Sequence, residues 1–196
     1  MSKVMKKVTV CLLLLLIGCA TFTDYNPEYK EVIFEEKQNR NSSVVLNLRY
    51  QMSLNETPAD ANVRVEKDLR NEIEVILKES SMFKEVKIGL DIADIKLDVD
   101  IVNRGEANLF LSFMTGFTFF LLPSHAVDNL TLKYKFTTNK GKIVKEYQRQ
   151  VTYDTWVHIT LIPFTPFMFP FTTFYSGIRN VTRSVLVEAK TDGIIN

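Results

Sequence analysis

Residues 128–153, DNLTLKYKFTTNKGKIVKEYQRQVTY, decide the fold of this 196-residue chain. In the first half of this stretch, apolar residues alternate with polar ones: Leu130, Leu132, Tyr134 and Phe136 against Thr131, Lys133 and Lys135. A two-residue period is typical of a strand with one buried face. The run Thr138-Asn139-Lys140-Gly141 supplies turn residues, and a second run follows over about 143–153. The stretch therefore predicts a β-hairpin.

Earlier segments predict further strands. Val44, Leu46 and Leu48 alternate with Val45, Asn47 and Arg49. Ile95, Leu97, Val99 and Ile101 alternate with Lys96, Asp98 and Asp100. Each pattern indicates a half-buried strand. Phe83 and Val86 lead into one more strand region.

Two amphipathic helices are predicted around these strands. The run Thr57-Pro58-Ala59-Asp60 offers an N-cap threonine followed by proline, which predicts a helix over about 58–79. Its apolar residues recur at helical spacing: Val65, Leu69, Ile73, Ile76 and Leu77. A second helical pattern runs through Ile178 and Ala189 and stops around Asp192-Gly193.

The order of these elements is strand, helix, several strands, helix. Consecutive strands with helices at either side favour an α+β fold over a doubly wound parallel sheet. We expect a mostly antiparallel sheet of about 4–6 strands packed by two amphipathic helices, within one domain over residues 43–196.

The first residues have the three parts of a signal peptide. Lys3, Lys6 and Lys7 precede an apolar run over 8–17, which is too short for the roughly 20 residues of a spanning helix. The run closes on Leu16-Ile17-Gly18-Cys19, which resembles the lipobox of bacterial lipoproteins.

That resemblance implies a definite processing route. Residues 1–18 would be a cleaved lipoprotein signal peptide, and Cys19 would carry a diacylglyceryl group on its thiol and an acyl chain on its new amine. In Gram-negative lipoproteins of this type, Asp after the cysteine favours inner-membrane retention, so Ala20 favours the outer membrane. We expect residues 19–42 to form the lipidated terminus and a tether, because their polar, mixed-charge sequence has weak periodicity. The alternative is an ordinary cleaved signal that happens to contain a cysteine.

Composition excludes several classes of function. The chain has 24 basic and 23 acidic residues, and the leader's three lysines leave 21 basic against 23 acidic beyond it, so nothing suggests nucleic acid. The two cysteines are Cys11 in the leader and Cys19, which leaves no thiolate chemistry for the mature domain. The two histidines, His125 and His158, stand apart in apolar settings and predict no metal site or catalytic triad. Asp98 and Asp100 lie on the solvent phase of a strand, so we predict no catalytic residue, no metal and no enzyme.

Two apolar segments exceed the needs of a small domain. Residues 109–123 (LFLSFMTGFTFFLLP) contain no charge, and residues 157–175 (VHITLIPFTPFMFPFTTFY) contain three prolines that forbid a regular helix interior. Both could be buried, as in a central strand covered on two faces. We favour a mixture, with part of 109–122 in the core and the 161–172 loop at a membrane or partner. The predicted contact residues are Trp156, Phe164, Phe167, Phe169, Phe171 and Tyr175.

The predicted topology, behind a lipobox, is similar to small periplasm-facing lipoproteins such as LptE, and more loosely to the N-terminal domain of TolB. No signature motif is shared, so the resemblance transfers no functional residue. The leading hypothesis is a non-enzymatic lipoprotein of the bacterial envelope, lipid-anchored at the outer membrane and facing the periplasm. It would act as an assembly or binding subunit that contacts the membrane surface or an envelope protein, without any cofactor beyond its lipid. The alternative is a carrier that shields a lipid or other apolar ligand in an enclosed cavity.

Overall fold

The computed structural model describes residues 18–26, 34, 42–59, 63–89, 92–138 and 141–195. The predicted leader, apart from Gly18, lies outside these residues. The described chain forms seven strands: β1 (Cys19–Asn26), β2 (Ser43–Leu54), β3 (Thr57–Ala59), β4 (Glu85–Ile88), β5 (Ile95–Ala107), β6 (Ser124–Thr138) and β7 (Ile143–Val157). It forms three α-helices, α1 (Val63–Glu79), α2 (Leu109–Phe117) and α3 (Pro170–Thr191), and a short 3-10 turn at Ile159–Leu161.

All seven strands join one sheet in the order β1-β7-β6-β5-β2-β3, with β4 also paired to β2. The pairs of β2 with β4 and with β5 are parallel, and the other pairs are antiparallel. The α+β class and the mostly antiparallel sheet are confirmed, and the hairpin predicted over 128–153 is the β6–β7 pair. The predicted number of 4–6 strands was too low, and the predicted element order matches only in part because α2 also intervenes between β5 and β6.

Alternation along the strands puts one face of the sheet against α1 and α3. The core contains the inward residues of the four central strands, among them Leu46, Leu97, Leu132 and Tyr134. From α1 it takes Leu69, Ile73, Ile76 and Leu77, which is the stripe predicted from sequence without Val65. From α3 it takes Ile178, Val181, Val185, Leu186 and Ala189. This two-layer burial accounts for the two-residue and helical periods of the sequence.

The predicted start of the first helix was wrong. Thr57 and Pro58 belong to β3, which pairs with the end of β2 across a tight turn at Asn55 and Glu56. Both turn residues have positive φ, 48° and 66°, as a two-residue hairpin turn requires. Proline is tolerated here because β3 lies at the edge of the sheet.

The predicted tether was wrong at its beginning. Residues 19–26 form β1, an edge strand that pairs antiparallel with β7 from Cys19↔Val157 to Asn26↔Gln150. One edge of β1 and much of one of its faces are not packed in the core, which is compatible with its largely polar sequence. Hydrophobic residues therefore do not alternate regularly along it. Most of the remainder of the predicted tether lies outside the described residues.

The start of α3 is fixed closely on β7. At Gly177 an added Cβ would lie 2.1 Å from Tyr153 Oη, so only glycine allows this approach. The Tyr153 hydroxyl donates a hydrogen bond to the Phe174 carbonyl at 2.9 Å. These contacts set the position of the Phe- and Pro-rich loop that precedes α3.

Candidate functional site

Among the residues that the structure describes, the exposed aromatic ones gather at one end of the sheet. β5 ends there, β6 starts there, β7 ends there, and β1 and α3 begin there. We call residues 18–23, 107–127 and 155–178 the apolar end. Its exposed large apolar side chains are Phe22, Leu109, Phe110, Phe113, Phe117, Phe119, Leu121, Leu122, Trp156, Ile159, Phe164, Phe167, Phe169 and Phe171.

The segment 109–122 is not in the core, contrary to the expectation that part of it would be. It forms α2, in which Thr115 is the one buried residue. Phe113 is 68 % exposed and Phe119 is 81 % exposed. The physical reason is position: α2 connects β5 to β6 beyond the end of the two-layer core, so no described element covers it.

Local hydrogen bonds hold α2 in its exposed place. The Asn108 side chain caps its start by accepting from the Leu111 N–H at 2.9 Å. Asn55 brackets Ala107 with two bonds, one from its amide to the Ala107 carbonyl and one from the Ala107 N–H to Asn55 Oδ1. Asn55, in the turn between β2 and β3, therefore fixes the direction in which α2 leaves the sheet.

Two phenylalanines after α2 have a strained backbone. Phe119 and Phe120 have φ of 52° and 67°, a left-handed region that non-glycine residues seldom adopt. The Phe120 N–H donates to the Thr115 carbonyl at 2.8 Å, and its carbonyl accepts from the Ile159 N–H at 3.0 Å. Those bonds lock the turn and tie the first Phe-rich segment to the second.

The segment before α3 is exposed, as expected for the 161–172 loop. Phe167 is 85 % exposed, and Phe164, Phe169 and Phe171 are exposed to lesser degrees. Trp156 is also exposed, but it lies on the sheet face opposite the helices. Tyr175 lies apart from this surface, partly buried against the core, where burial raises the pKa of its phenol.

Cys19 lies among these loops. Its backbone N–H donates to Thr165 Oγ1 at 3.1 Å, and the next inward residue, Thr21, donates its N–H to the Met168 carbonyl at 3.0 Å. The Cys19 side chain is 9 % exposed, and burial raises the pKa of its thiol. Sequence patterns do not show this proximity, because it depends on pairing β1 with a strand more than about 120 residues along the chain.

The two histidines are in contact with polar neighbours rather than isolated. His125 Nε2 lies 2.6 Å from Asp154 Oδ1, and the His125 ring stacks on Trp156 with centroids 4.4 Å apart. His158 contacts Thr160 through Nδ1 and the Leu121 carbonyl through Nε2. Within the described part of the chain, no group of three or more His, Cys, Asp or Glu residues is placed to hold a metal ion.

Beside the apolar end lies a groove of about 1090 Å³ on the open face of the sheet. Its lining mixes charged and polar residues, among them Glu56, Arg104 and Glu106, with apolar ones such as Leu111 and Val127. This groove is open to solvent and is not the enclosed apolar cavity that a carrier of apolar ligands needs.

None of the helices among the described residues is long and apolar enough to cross a membrane.

No protein-family model matches the sequence, and comparison with curated proteins gives no significant match. Solved structures give partial likenesses. A minor lipoprotein from Acinetobacter baumannii aligns over 76 % of this chain and 87 % of its own at 14 % identity and a TM-score of 0.33. A PelC dodecamer from Paraburkholderia phytofirmans aligns over 84 % of this chain and 90 % of its own at 9 % identity and a TM-score of 0.31. At such low identities and TM-scores, neither likeness carries an argument about family or function.

Proposed function

We propose that this chain is a non-enzymatic lipoprotein of the bacterial envelope that is anchored through Cys19 and binds through its apolar end. The observation that carries the proposal is that the residue resembling a lipobox cysteine lies inside the exposed aromatic surface. The hydrogen bond from Cys19 to Thr165 joins the two directly. An anchored lipid and the exposed phenylalanines would thus face the same side.

The chemistry of lipidation is compatible with this arrangement in one order of events. Acylating the Cys19 amine leaves one N–H, which still donates to Thr165 Oγ1. The buried thiol, however, is a poor nucleophile while β1 is paired, because the pKa of a buried thiol is raised. In the proposed route, attachment of lipid to the thiol therefore precedes the pairing of β1 with β7.

The outer membrane and a periplasm-facing orientation remain our proposals for its location. The choice of the outer membrane rests on Ala20, which follows the cysteine. Ala20 is fully buried, so packing in β1 also requires a small residue at this position. The choice of membrane therefore needs its own measurement by density fractionation.

A docking function is better supported than the carrier alternative. Docking needs the 161–172 loop exposed, and Phe167 in that loop is 85 % exposed. A carrier needs an enclosed apolar cavity, whereas the large groove beside the apolar end is open to solvent and lined in part by the charged residues Glu56, Arg104 and Glu106. We therefore propose an assembly or binding subunit whose partner is a membrane surface or an envelope protein.

The anchor is tested by labelling cells with radioactive palmitate. Cys19→Ala should abolish the label and leave uncut precursor, because no other cysteine exists in the mature chain. Cys11→Ala is the matched control, since that cysteine lies in the leader, and it should keep the label. Label that persists in the Cys19→Ala protein would disprove the anchor.

The binding surface is tested by site-specific photocrosslinking in cells. A crosslinking residue at Phe167 should give adducts with protein or lipid. The same residue at Ile143, which is exposed at the opposite end of β7, should give none. Equal crosslinking from both positions would show that the apolar end is not a specific contact surface.

A further inference from the structure

The apolar end is free of formal charge over a long combined length of chain. Residues 18–23, 107–127 and 155–178 contain no Asp, Glu, Lys or Arg. Surfaces that bind proteins normally have a polar, partly charged rim around an apolar centre. A surface that exposes many apolar side chains and has no formal charge fits hydrocarbon better than it fits another protein.

Polar groups of the apolar end are satisfied within the chain. The hydroxyls of several of its Ser and Thr residues donate to nearby backbone carbonyls: Ser112 to Asn108, Thr115 to Leu111, Thr118 to Met114, Thr165 to Leu161, Thr172 to Phe169 and Ser176 to Thr173. Turns likewise satisfy N–H groups of the loop backbone: the N–H groups of Phe164 and Thr165 both donate to the Leu161 carbonyl. Because lipid offers no hydrogen-bond partners, a segment that enters it must satisfy such groups internally.

Charge returns at a sharp boundary below the apolar end. The first charged residues along the strands are Asp24, Glu106, Asp128 and Asp154. His125 and Trp156 lie side by side just above this boundary, on the open face of the sheet. Tryptophan is enriched where membrane-bound proteins cross from hydrocarbon to water, since its ring is apolar and its N–H polar.

From these features we infer that the occupant of the apolar end is the lipid bilayer itself. This inference rests on the proposed binding function of the same surface. The phenylalanines of α2 and of the 161–172 loop enter one leaflet, with the strands directed toward the membrane and Trp156 at the headgroup level. Entry is limited to one leaflet, because the nine-residue α2 is only about 14 Å long, against a hydrocarbon core of about 30 Å.

The bilayer contact has two separate contributions in this arrangement. The lipid on Cys19 leaves the protein from the surface that meets the membrane, so the anchor and the phenylalanines insert together. A single acyl chain gives only marginal binding, so the three chains expected on Cys19 already form a stable anchor, and the phenylalanines add to it. The apolar end would supply an attachment that persists when the lipid is absent.

The test uses the mature chain from residue 19 with Cys19→Ser, which carries no lipid, and neutral phosphatidylcholine vesicles. We expect it to float with the vesicles at both low and high salt, because no charge is involved. The triple variant Phe110→Ser/Phe113→Ser/Phe117→Ser should reduce the partition coefficient by more than about 100-fold, given the apolar area that three phenylalanines bury. The matched control, Ile143→Ser/Val144→Ser, changes exposed apolar residues at the opposite end of β7 and should leave binding unchanged.

The depth is read from Trp156, the single tryptophan of the chain. Lipids brominated near the glycerol backbone should quench its fluorescence more than lipids brominated deep in the chains. Quenching that is strongest from the deep positions would overturn the proposed orientation. The lipidated wild-type protein in the same vesicles gives this reading as well, so the orientation stays testable if a serine variant fails to fold.

Two further outcomes separate this inference from the proposed function. If the folded Cys19→Ser chain does not bind vesicles, while Phe167 crosslinks to a protein in cells, the bilayer inference is wrong and the docking function stands. Vesicle binding that the control variant loses as strongly as the phenylalanine variant would also overturn the inference. The palmitate-labelling experiment with Cys19→Ala tests the anchor alone. Its result does not affect the vesicle experiment, because that experiment uses a chain without lipid on Cys19.

Discussion

The two ends of the β6–β7 hairpin use the same residue types for opposite purposes. At the far end, Phe136 is fully buried and packs edge-on against Tyr147, with ring centroids 5.9 Å apart. At the apolar end, Phe113 stacks on Phe117 at 6.4 Å, but both rings remain exposed. The comparison teaches that phenylalanine content does not distinguish core from surface; the presence of a second packed layer does.

Charge follows the same division. At the far end, α3 is tied to β7 by polar bonds: Asp192 accepts from Lys145 and Tyr147, and Glu188 pairs with Arg149. At the apolar end, the hydrogen bonds between segments join uncharged groups, such as the bond from the Ile159 N–H to the Phe120 carbonyl and the bond from the Cys19 N–H to Thr165 Oγ1. The far end therefore carries charged groups that are costly to remove from water. The apolar end carries no formal charge that would have to be desolvated in a membrane.

The largest expected effect is a matched pair of truncations at the two ends. Phe136→Ala should lower the free energy of unfolding by about 3–5 kcal/mol, because it opens a cavity in the core. Phe113→Ala should change that free energy by no more than about 0.5 kcal/mol, since its ring is 68 % exposed. Urea unfolding followed by circular dichroism measures both. A loss of stability for Phe113→Ala comparable to that of Phe136→Ala would show that α2 is part of the core.

The far end could be predicted from sequence because burial there is one-sided. Leu130 to Phe136 and Ile95 to Ile101 alternate strictly, and the α3 stripe repeats at helical spacing, so periodicity reports the buried face directly. The stop at Asp192-Gly193 was also predicted correctly, since Gly193 has φ of 72° and the Ile194 N–H closes the helix onto Ala189.

The apolar end could be predicted only in part. Residues 109–117 are apolar on all sides, so no period separates a helix from a buried strand or an exposed face from a covered one. Exposure of Phe164, Phe167, Phe169 and Phe171 matches the expectation for the 161–172 loop. The placement of Cys19 beside that loop depends on a long-range strand pairing, whose partner and register local sequence does not encode.

A smaller effect should come from the strained turn after α2. Phe119→Gly removes a left-handed conformation that costs a non-glycine residue about 1–2 kcal/mol, while glycine loses about 0.5–1 kcal/mol of entropy. The variant should therefore gain about 0.5–1 kcal/mol in the free energy of unfolding and lose vesicle affinity. A gain in stability together with a loss of binding would mark Phe119 as retained for binding.

Phe117→Gly is the control for that substitution. Phe117 is the last residue of α2, where glycine costs helix stability of up to about 1 kcal/mol and relieves no left-handed strain. It should lose vesicle affinity and also lose stability. If Phe119→Gly were as destabilising as this control, the positive φ would not be a source of strain.

The smallest expected effect is at the far end, where Asp192→Asn removes a carboxylate that accepts from Lys145 and Tyr147. These bonds lower the pKa of Asp192 below its ordinary value of 3.8, with the Lys145 bond as the largest cause. A carboxylate with a lowered pKa stabilises the fold above its ordinary pKa and loses that contribution as the pH falls through the lowered pKa. The wild type should therefore be more stable than Asp192→Asn at neutral pH, and the difference should disappear in strong acid.

Thermal melts across this pH range measure the difference in stability. The control is Glu146→Gln, which removes an exposed carboxylate from β7, the strand that also holds Lys145 and Tyr147. A difference that persists unchanged into strong acid would show that shape at residue 192, and not charge, joins α3 to β7.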